Sequence, residues 1–204
     1  MFMPECFTID DEETIYDFIE EYSFATLFSQ HNGEPYATHL PLLLDRDQFA
    51  LYGHMARANK QWEEVGNQQV LAVFHGPHCY ISPTYYKTTK AVPTWDYVSI
   101  HVYGKMEIVS EKNVIHHTLN SLVNKYEKAD SSYHYLDLDS STVEGMIREL
   151  VAFKIKISKI EAQAKLSQNH PVERQELIIK HLENNPDQND KQIAALIKRN
   201  LINN

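Results

Sequence analysis

The sequence predicts a mainly antiparallel β-barrel with peripheral helices and a helical C-terminal tail. Three observations predict it. Apolar or alternating runs succeed one another from Phe24 to Val109, joined by turns too short to hold crossover helices. Helical periodicity sits at the two ends and in segments after Val109, so the strand–helix–strand rhythm of a doubly wound sheet is missing. Beyond Asn169 the pattern turns wholly helical.

Each element has a local reason. Asp10 followed by Glu13 reads as a capping box for a helix over Asp10 to Tyr22, with Ile15, Phe18, Ile19 and Tyr22 on one face. Phe24 to Ser29 reads as a strand, His31-Asn32-Gly33 as a hairpin turn, and Tyr36 to Leu44 as a second strand with Pro41 favouring an edge. Gln48 to Gly53 is a third strand, and Lys60 to Val65 a short helical stretch. Val70 to His75 is a buried strand that Gly76-Pro77 interrupts before Cys79 to Ser82. In Tyr97 to Val109, residues Val98, Ile100, Val102, Met106 and Ile108 share one face, and Gly104 marks a bulge or tight bend. A helix from near Ser110 carries Ile115, Leu119, Leu122, Val123 and Tyr126 as its stripe. A short helix over Val143 to Glu149 and a strand over Val151 to Ile160 close the body. In the tail, Pro171 opens one helix, Asn184-Asn185-Pro186-Asp187 breaks it, and Asp190 caps the next. The expected division is a domain over 1–169 and a helical appendage over 170–204.

Composition bounds the function. The 204 residues are 43% hydrophobic and 23% charged, which suits a globular chain with an ample core. Net charge is −9, and no Lys or Arg occurs before Arg46. Such a chain repels nucleic acid at long range, so DNA binding needs a local basic patch or a second protein. The tail offers Lys191, Gln192, Lys198, Arg199 and Asn200 for that purpose, against a zero sum of tail charges. No apolar run reaches transmembrane length and no signal peptide is visible, so a cytoplasmic protein without membrane contact is expected. Cys6 and Cys79 form neither a disulfide framework nor a Cys-x-x-Cys pair. His75, His78 and Cys79 fall short of a metal-ligand set, and no nucleophile elbow is present, so neither metal nor catalytic residues are expected.

Two segments carry chemistry. In His54-Met55-Ala56-Arg57-Ala58-Asn59-Lys60-Gln61-Trp62, a strand runs into a helix start capped by Asn59, with cations at Arg57 and Lys60. That arrangement suits a terminal phosphate, and it equally suits a capped helix with two solvated cations. The rings, hydroxyls and prolines of Phe74 to Tyr86 and of Val92-Pro93-Thr94-Trp95-Asp96-Tyr97 suit the edge of a planar heterocycle, or a rigid connection that finishes the core.

These two segments, with Phe74-His75-Gly76-Pro77-His78-Cys79-Tyr80-Ile81-Ser82-Pro83 and Ala164-Lys165-Leu166-Ser167-Gln168-Asn169, resemble the PaiB family of FMN-binding negative transcriptional regulators. The resemblance runs from the opening helix to Asn169. It implies an antiparallel split β-barrel related to pyridoxamine-phosphate oxidases and flavin reductases. It also implies a homodimer with FMN at the subunit interface, and repression of degradative-enzyme and sporulation genes. His54, Arg57, Asn59, Gln61 and Trp62 match the first family motif. Lys60 stands where that motif often has proline. Thr94, Trp95 and Tyr97 match the loop expected to border the ring system. Lys165, Gln168 and Asn169 match the closing motif, for the site or for the dimer contact. The expected cofactor-binding set is thus His54, Arg57, Asn59, Lys60, Gln61, Trp62, Thr94, Trp95, Tyr97, Lys165, Gln168 and Asn169. A flavin-dependent oxidoreductase on the same barrel is the alternative, and a flavin-free interaction module a third reading.

Overall fold

The computed structural model describes residues 1–86, 88 and 90–203. In chain order the elements are α1 (Glu12–Glu21), β1 (Phe24–His31), β2 (Glu34–Pro41), β3 (Leu43–Asp45), β4 (Ala50–Ala56), β5 (Gln69–Ile81), β6 (Thr94–Ile108), α2 (Lys112–Tyr126), α3 (Ser140–Arg148), β7 (Leu150–Lys165), α4 (Val172–Glu183) and α5 (Gln188–Asn203). The strands form one antiparallel sheet in the order β2-β1-β5-β6-β7-β4-β3. By contact the chain divides into two compact units: Met1–Ile15, His75–Ile100 and Glu161–Asn204 make one, and Tyr16–Phe74 and His101–Ile160 the other.

In the unit built on Tyr16–Phe74 and His101–Ile160, the hairpin of β1 and β2 turns on Asn32 and Gly33. Both have positive φ, 54° and 79°. That is the turn whose twist matches paired strands, and it is why Asn-Gly is legible as a hairpin. The register runs from Phe24↔Pro41 to His31↔Glu34. β2 and β3 lie at opposite edges of the sheet, yet only Leu42 separates them in the chain. The sheet must therefore curl until its edges approach, which is the split-barrel form. Leu42 is fully buried at that point, and its N–H donates to Ser23 O at 2.9 Å. Leu27, Leu51, Phe74, Val102, Met106, Phe153 and Ile155 fill the inside. Gly104 is required by close approach: a Cβ there would lie 2.4 Å from Lys156 O and 2.6 Å from Ile155 Cγ2. α2 lays Ile115 on Val109, Leu150 and Ala152.

In the other unit, the N-terminal segment adds a short antiparallel contact, Thr8 opposite Gln163, with Ile9 N donating to Ala162 O at 3.0 Å. α4 and α5 bury Ile178, Leu182, Ile193 and Ile197 completely. Tyr85, in the 3-10 turn Pro83–Tyr86, stacks on His181 of α4 with ring centroids 3.6 Å apart.

Several expectations need correction. α1 is capped by Asp11, whose carboxylate accepts from Thr14 N at 2.9 Å, one position later than the Asp10/Glu13 box. The expected strand to Leu44 breaks at Leu42 because the chain there changes edges. The short helical stretch expected over Lys60 to Val65 is present in 3-10 form, as two turns, Lys60–Glu63 and Val65–Asn67. β5 runs unbroken through Gly76-Pro77. Its pairing with β1 covers only Leu71 to Val73, so the missing N–H of Pro77 breaks no bond on that side. Ile108 ends its strand 46% exposed and leaves the buried face. α2 begins at Lys112, and α3 spans Ser140–Arg148 under an Asp139 cap. β7 continues to Lys165, Pro171 caps α4 from outside, and Asp187 rather than Asp190 accepts from the start of α5, from Asn189 N at 2.8 Å.

Candidate functional site

In the unit built on Tyr16–Phe74 and His101–Ile160, β4 places alternate residues on its outer face, and His54 sits there opposite Ala152 of β7. His54 lines a cavity of about 480 Å³ with Ala56, Leu119, Leu122, Val123, Tyr133, Tyr135, Met146, Glu149 and Leu150. The wall is mostly apolar. The buried Nδ1 of His54 has no hydrogen-bond partner, an orphan in a site where a polar atom ordinarily finds one. Burial pushes the imidazole below its ordinary value, so His54 is neutral at pH 7.

The turn after β4 spends its polar atoms on the fold. Arg57 Nε donates to Arg148 O at 2.7 Å and Nη2 to Leu150 O at 2.7 Å. Arg57 N donates to Glu149 O at 2.8 Å. Asn59 Oδ1 accepts from Gln61 N at 2.9 Å, and its Nδ2 donates to Thr38 Oγ1 at 2.8 Å. Gln61 is fully buried, and its Nε2 donates to Leu27 O and Ser29 Oγ, each at 3.0 Å. Trp62 Nε1 donates to Arg57 O at 2.9 Å. Lys60 is exposed and pairs with Glu63 at 2.9 Å. Asn59 caps as expected, but the four-residue 3-10 turn that follows has no long run of aligned peptides to attract an anion. Cationic character at this turn comes from Arg57 and Lys60.

In the other unit, the start of β6 and the end of β7 bring Thr94, Trp95 and Lys165 together. Lys165 Nζ donates to Thr94 Oγ1 at 2.6 Å and to Trp95 O at 2.5 Å, and lies 3.6 Å from Asp96 Oδ1. Ser167 Oγ donates to Asp96 Oδ2 at 2.6 Å. Gln168 closes the turn: its Oε1 accepts from Leu166 N at 2.6 Å and its Nε2 donates to Ala164 O at 2.7 Å. Tyr97 is half-buried one strand position beyond Asp96, and Asn169 stands exposed after the turn. Trp95 is 54% exposed and Tyr80 45% exposed. The Trp95 ring lies 6.1 Å from that of His78 and 6.2 Å from that of Tyr80. This open aromatic group is free to meet a flat ring.

The expected set omitted Asp96 and Ser167. Asp96 is completely buried, and burial pushes its carboxyl above the usual range against the pull of Ser167 and Lys165. A signal for it was present: Asp96 is the sole acid between Glu64 and Glu107. Cys79 is buried, and burial, then Asp190, Asp96 and Asp187, push its thiol up to about 12, so it is no nucleophile. Among the described residues no three His, Cys, Asp or Glu side chains gather as a metal would require, and no helix is long and apolar enough to cross a membrane.

Comparison with known proteins gives the family and the fold. Residues 1–159 match the family model described as "Putative FMN-binding domain". The chain is 37% identical to "Protease synthase and sporulation protein PAI 2" of Bacillus subtilis (strain 168) over 205 residues, covering 98% of each. Among solved structures it is similar to the "FAD and Heme binding protein" of Mycobacterium smegmatis, with TM-score 0.61, 13% identity, and coverage of 78% of this chain and 73% of that one. A conserved hypothetical protein of Mycobacterium tuberculosis also gives TM-score 0.61, with 15% identity and coverage of 84% and 94%. At these identities the structures share the fold.

Proposed function

This chain belongs to the FMN-binding domain family, and on that premise we propose that it is an FMN-holding negative regulator of transcription, a cytoplasmic homodimer acting on degradative-enzyme and sporulation genes. The gene classes follow the name of the Bacillus subtilis relative, which matches this chain over 98% of its length.

The observation that carries the flavin reading is a mostly apolar cavity of about 480 Å³ lined by His54, a residue whose buried Nδ1 has no hydrogen-bond partner, in the same unit as Arg57 and Lys60. A flavin mononucleotide needs an apolar slot with few polar contacts for its ring, and cations for its phosphate. The residues present fit that requirement. His54 offers a hydrogen bond within an apolar wall, and Arg57 and Lys60 supply charge, with Asn59 fixing the turn between them. The other unit, taken by itself, carries the half-exposed Trp95 ring with Tyr80 and His78, and the Lys165 ammonium. When bound, FMN supplies a ring that takes up and returns electrons; the protein's part is to hold, orient and shield it. The net charge of −9 gives direct DNA binding little help, so repression proceeds through the local cations of α5 or through an associated regulator.

An absorbance spectrum of the purified protein and a titration with FMN test the flavin reading. Uptake of FMN supports it, and a colourless protein that takes up none sinks it. A gel-shift assay with and without FMN tests the regulatory reading. Steady turnover of NAD(P)H by the FMN-loaded protein, with no effect on DNA or on a regulator, would favour an oxidoreductase instead.

A further inference from the structure

We propose that Asp96 is a positioning residue: anchored by Ser167, it fixes the ammonium of Lys165, and Lys165 in turn fixes the strand end that presents Trp95. Its link to cofactor binding rests on the flavin reading above; its structural claim does not.

Lys165 Nζ has three donors and no acceptor. Two go to Thr94 Oγ1 and Trp95 O, at 2.6 and 2.5 Å, and Asp96 Oδ1 lies 3.6 Å away. One side chain therefore holds three consecutive residues at the start of β6. The side chain of Lys165 is only 22% exposed, and its ammonium also lies 5.9 Å from the centre of the Phe7 ring. A long flexible side chain held this way needs a counter-charge to keep one geometry, and Asp96 supplies it.

Asp96 is itself held from behind. Its other oxygen accepts from Ser167 Oγ at 2.6 Å. Ser167 has φ +58°, a left-handed backbone that a residue with a side chain seldom adopts. The turn that imposes it is pinned by both ends of the Gln168 amide. The chain thus maintains an unfavourable backbone angle where the result is a hydroxyl delivered to a buried carboxylate. The outer end of the relay is the half-exposed Trp95 ring beside His78 and Tyr80.

The test uses the whole chain. In ¹H–¹⁵N spectra without cofactor, the Trp95 indole resonance is assigned by its loss in Trp95→Phe. Asp96→Asn is expected to shift that resonance and leave the Trp62 indole in place. In titrations with FMN, Asp96→Asn is expected to raise Kd about tenfold, and Lys165→Met to do the same, with the double variant no worse than Lys165→Met alone. An unmoved Trp95 resonance in folded Asp96→Asn overturns the proposal, as do penalties in Kd that multiply in the double variant. If Asp96→Asn does not fold, Ser167→Gly decides: glycine accepts the positive φ and removes the hydroxymethyl group that reaches Asp96. It must shift the same resonance, or the relay is wrong. A wild-type protein that takes up no FMN defeats the flavin reading, while the Trp95 resonance still judges Asp96.

Discussion

The guanidinium of Arg57 donates to the carbonyl of Leu150 at 2.7 Å, and by a second arm to that of Arg148, the last residue of α3. A residue expected from sequence to grip a phosphate therefore also ties the end of one helix to the start of β7. Removing it should do two separable things. Arg57→Ala is expected to lower stability by about 1 to 2 kcal/mol, since two hydrogen bonds at a partly exposed site are lost. It is also expected to raise the Kd for FMN, measured where both proteins are folded. Denaturant midpoints read the first effect and titration the second. An unchanged Kd in a folded, less stable variant would leave Arg57 with the structural role alone.

His54 gives stability a pH dependence of defined sign. Burial lowers its folded pKa below the ordinary 6.5. The unfolded chain then binds the proton more readily than the folded one. The contribution is complete above the unfolded value and is lost as pH falls through the folded value. His170, lowered by burial and by Arg174 and Lys165, adds the same sign. Wild-type protein should lose more stability between about pH 7.5 and about pH 5 than His54→Gln does, as read from urea midpoints. Equal losses would mean that His54 is not the group being protonated.

Gly104 should be the least replaceable glycine of the sheet. A methyl group there would meet the Lys156 carbonyl oxygen, which is backbone and cannot swing aside. Gly104→Ala is expected to cost about 1 to 3 kcal/mol, the range for forcing extra volume into a packed site. Gly66, with nothing within 4 Å of its added methyl, is the control, and Gly66→Ala should stay within about 0.5 kcal/mol of wild type. Comparable losses for both would show that crowding at Lys156 is not the cause.

What could be read in the sequence was what is fixed locally. Asn32-Gly33 specifies its turn by backbone chemistry alone, and Asn59 caps the next segment through its own neighbours. The alternation of Val98, Ile100 and Val102 survives because a strand has only two faces. What could not be read depended on distant chain. Pro77 sits inside a strand because pairing with β1 stops at Val73, a fact held by the position of Thr26. Arg57 looked free because its partners lie far along the chain, at the end of α3 and the start of β7. Asp96 looked incidental because its meaning comes from Ser167 and Lys165 at the far end of β7. The motifs that carried the family resemblance were legible as patterns, while the division of their polar atoms between fold and site was not.

The C-terminal helices give the last expectation, because Cys79 reports on them. Leu182 of α4 is fully buried, and the carboxylates of Asp190 and Asp187 act on the Cys79 thiol. That thiol is pushed up to about 12 and is shut away, so a thiol reagent reaches it only when the surroundings open. Leu182→Ala leaves a cavity and is expected to cost about 2 to 5 kcal/mol. If α4 and α5 are integral to the unit around Cys79, its labelling rate should rise by about a hundredfold for a loss near 3 kcal/mol, since 1.4 kcal/mol is a factor of ten. The exposed Cys6 must first be removed as Cys6→Ser so that one thiol is counted. If residues 170–204 are instead a separable appendage, Leu182→Ala will loosen the tail while Cys79 labels at the wild-type rate. Tyr85 stacked on His181 argues for the first outcome, because the turn carrying Tyr85 follows directly on the strand that carries Cys79.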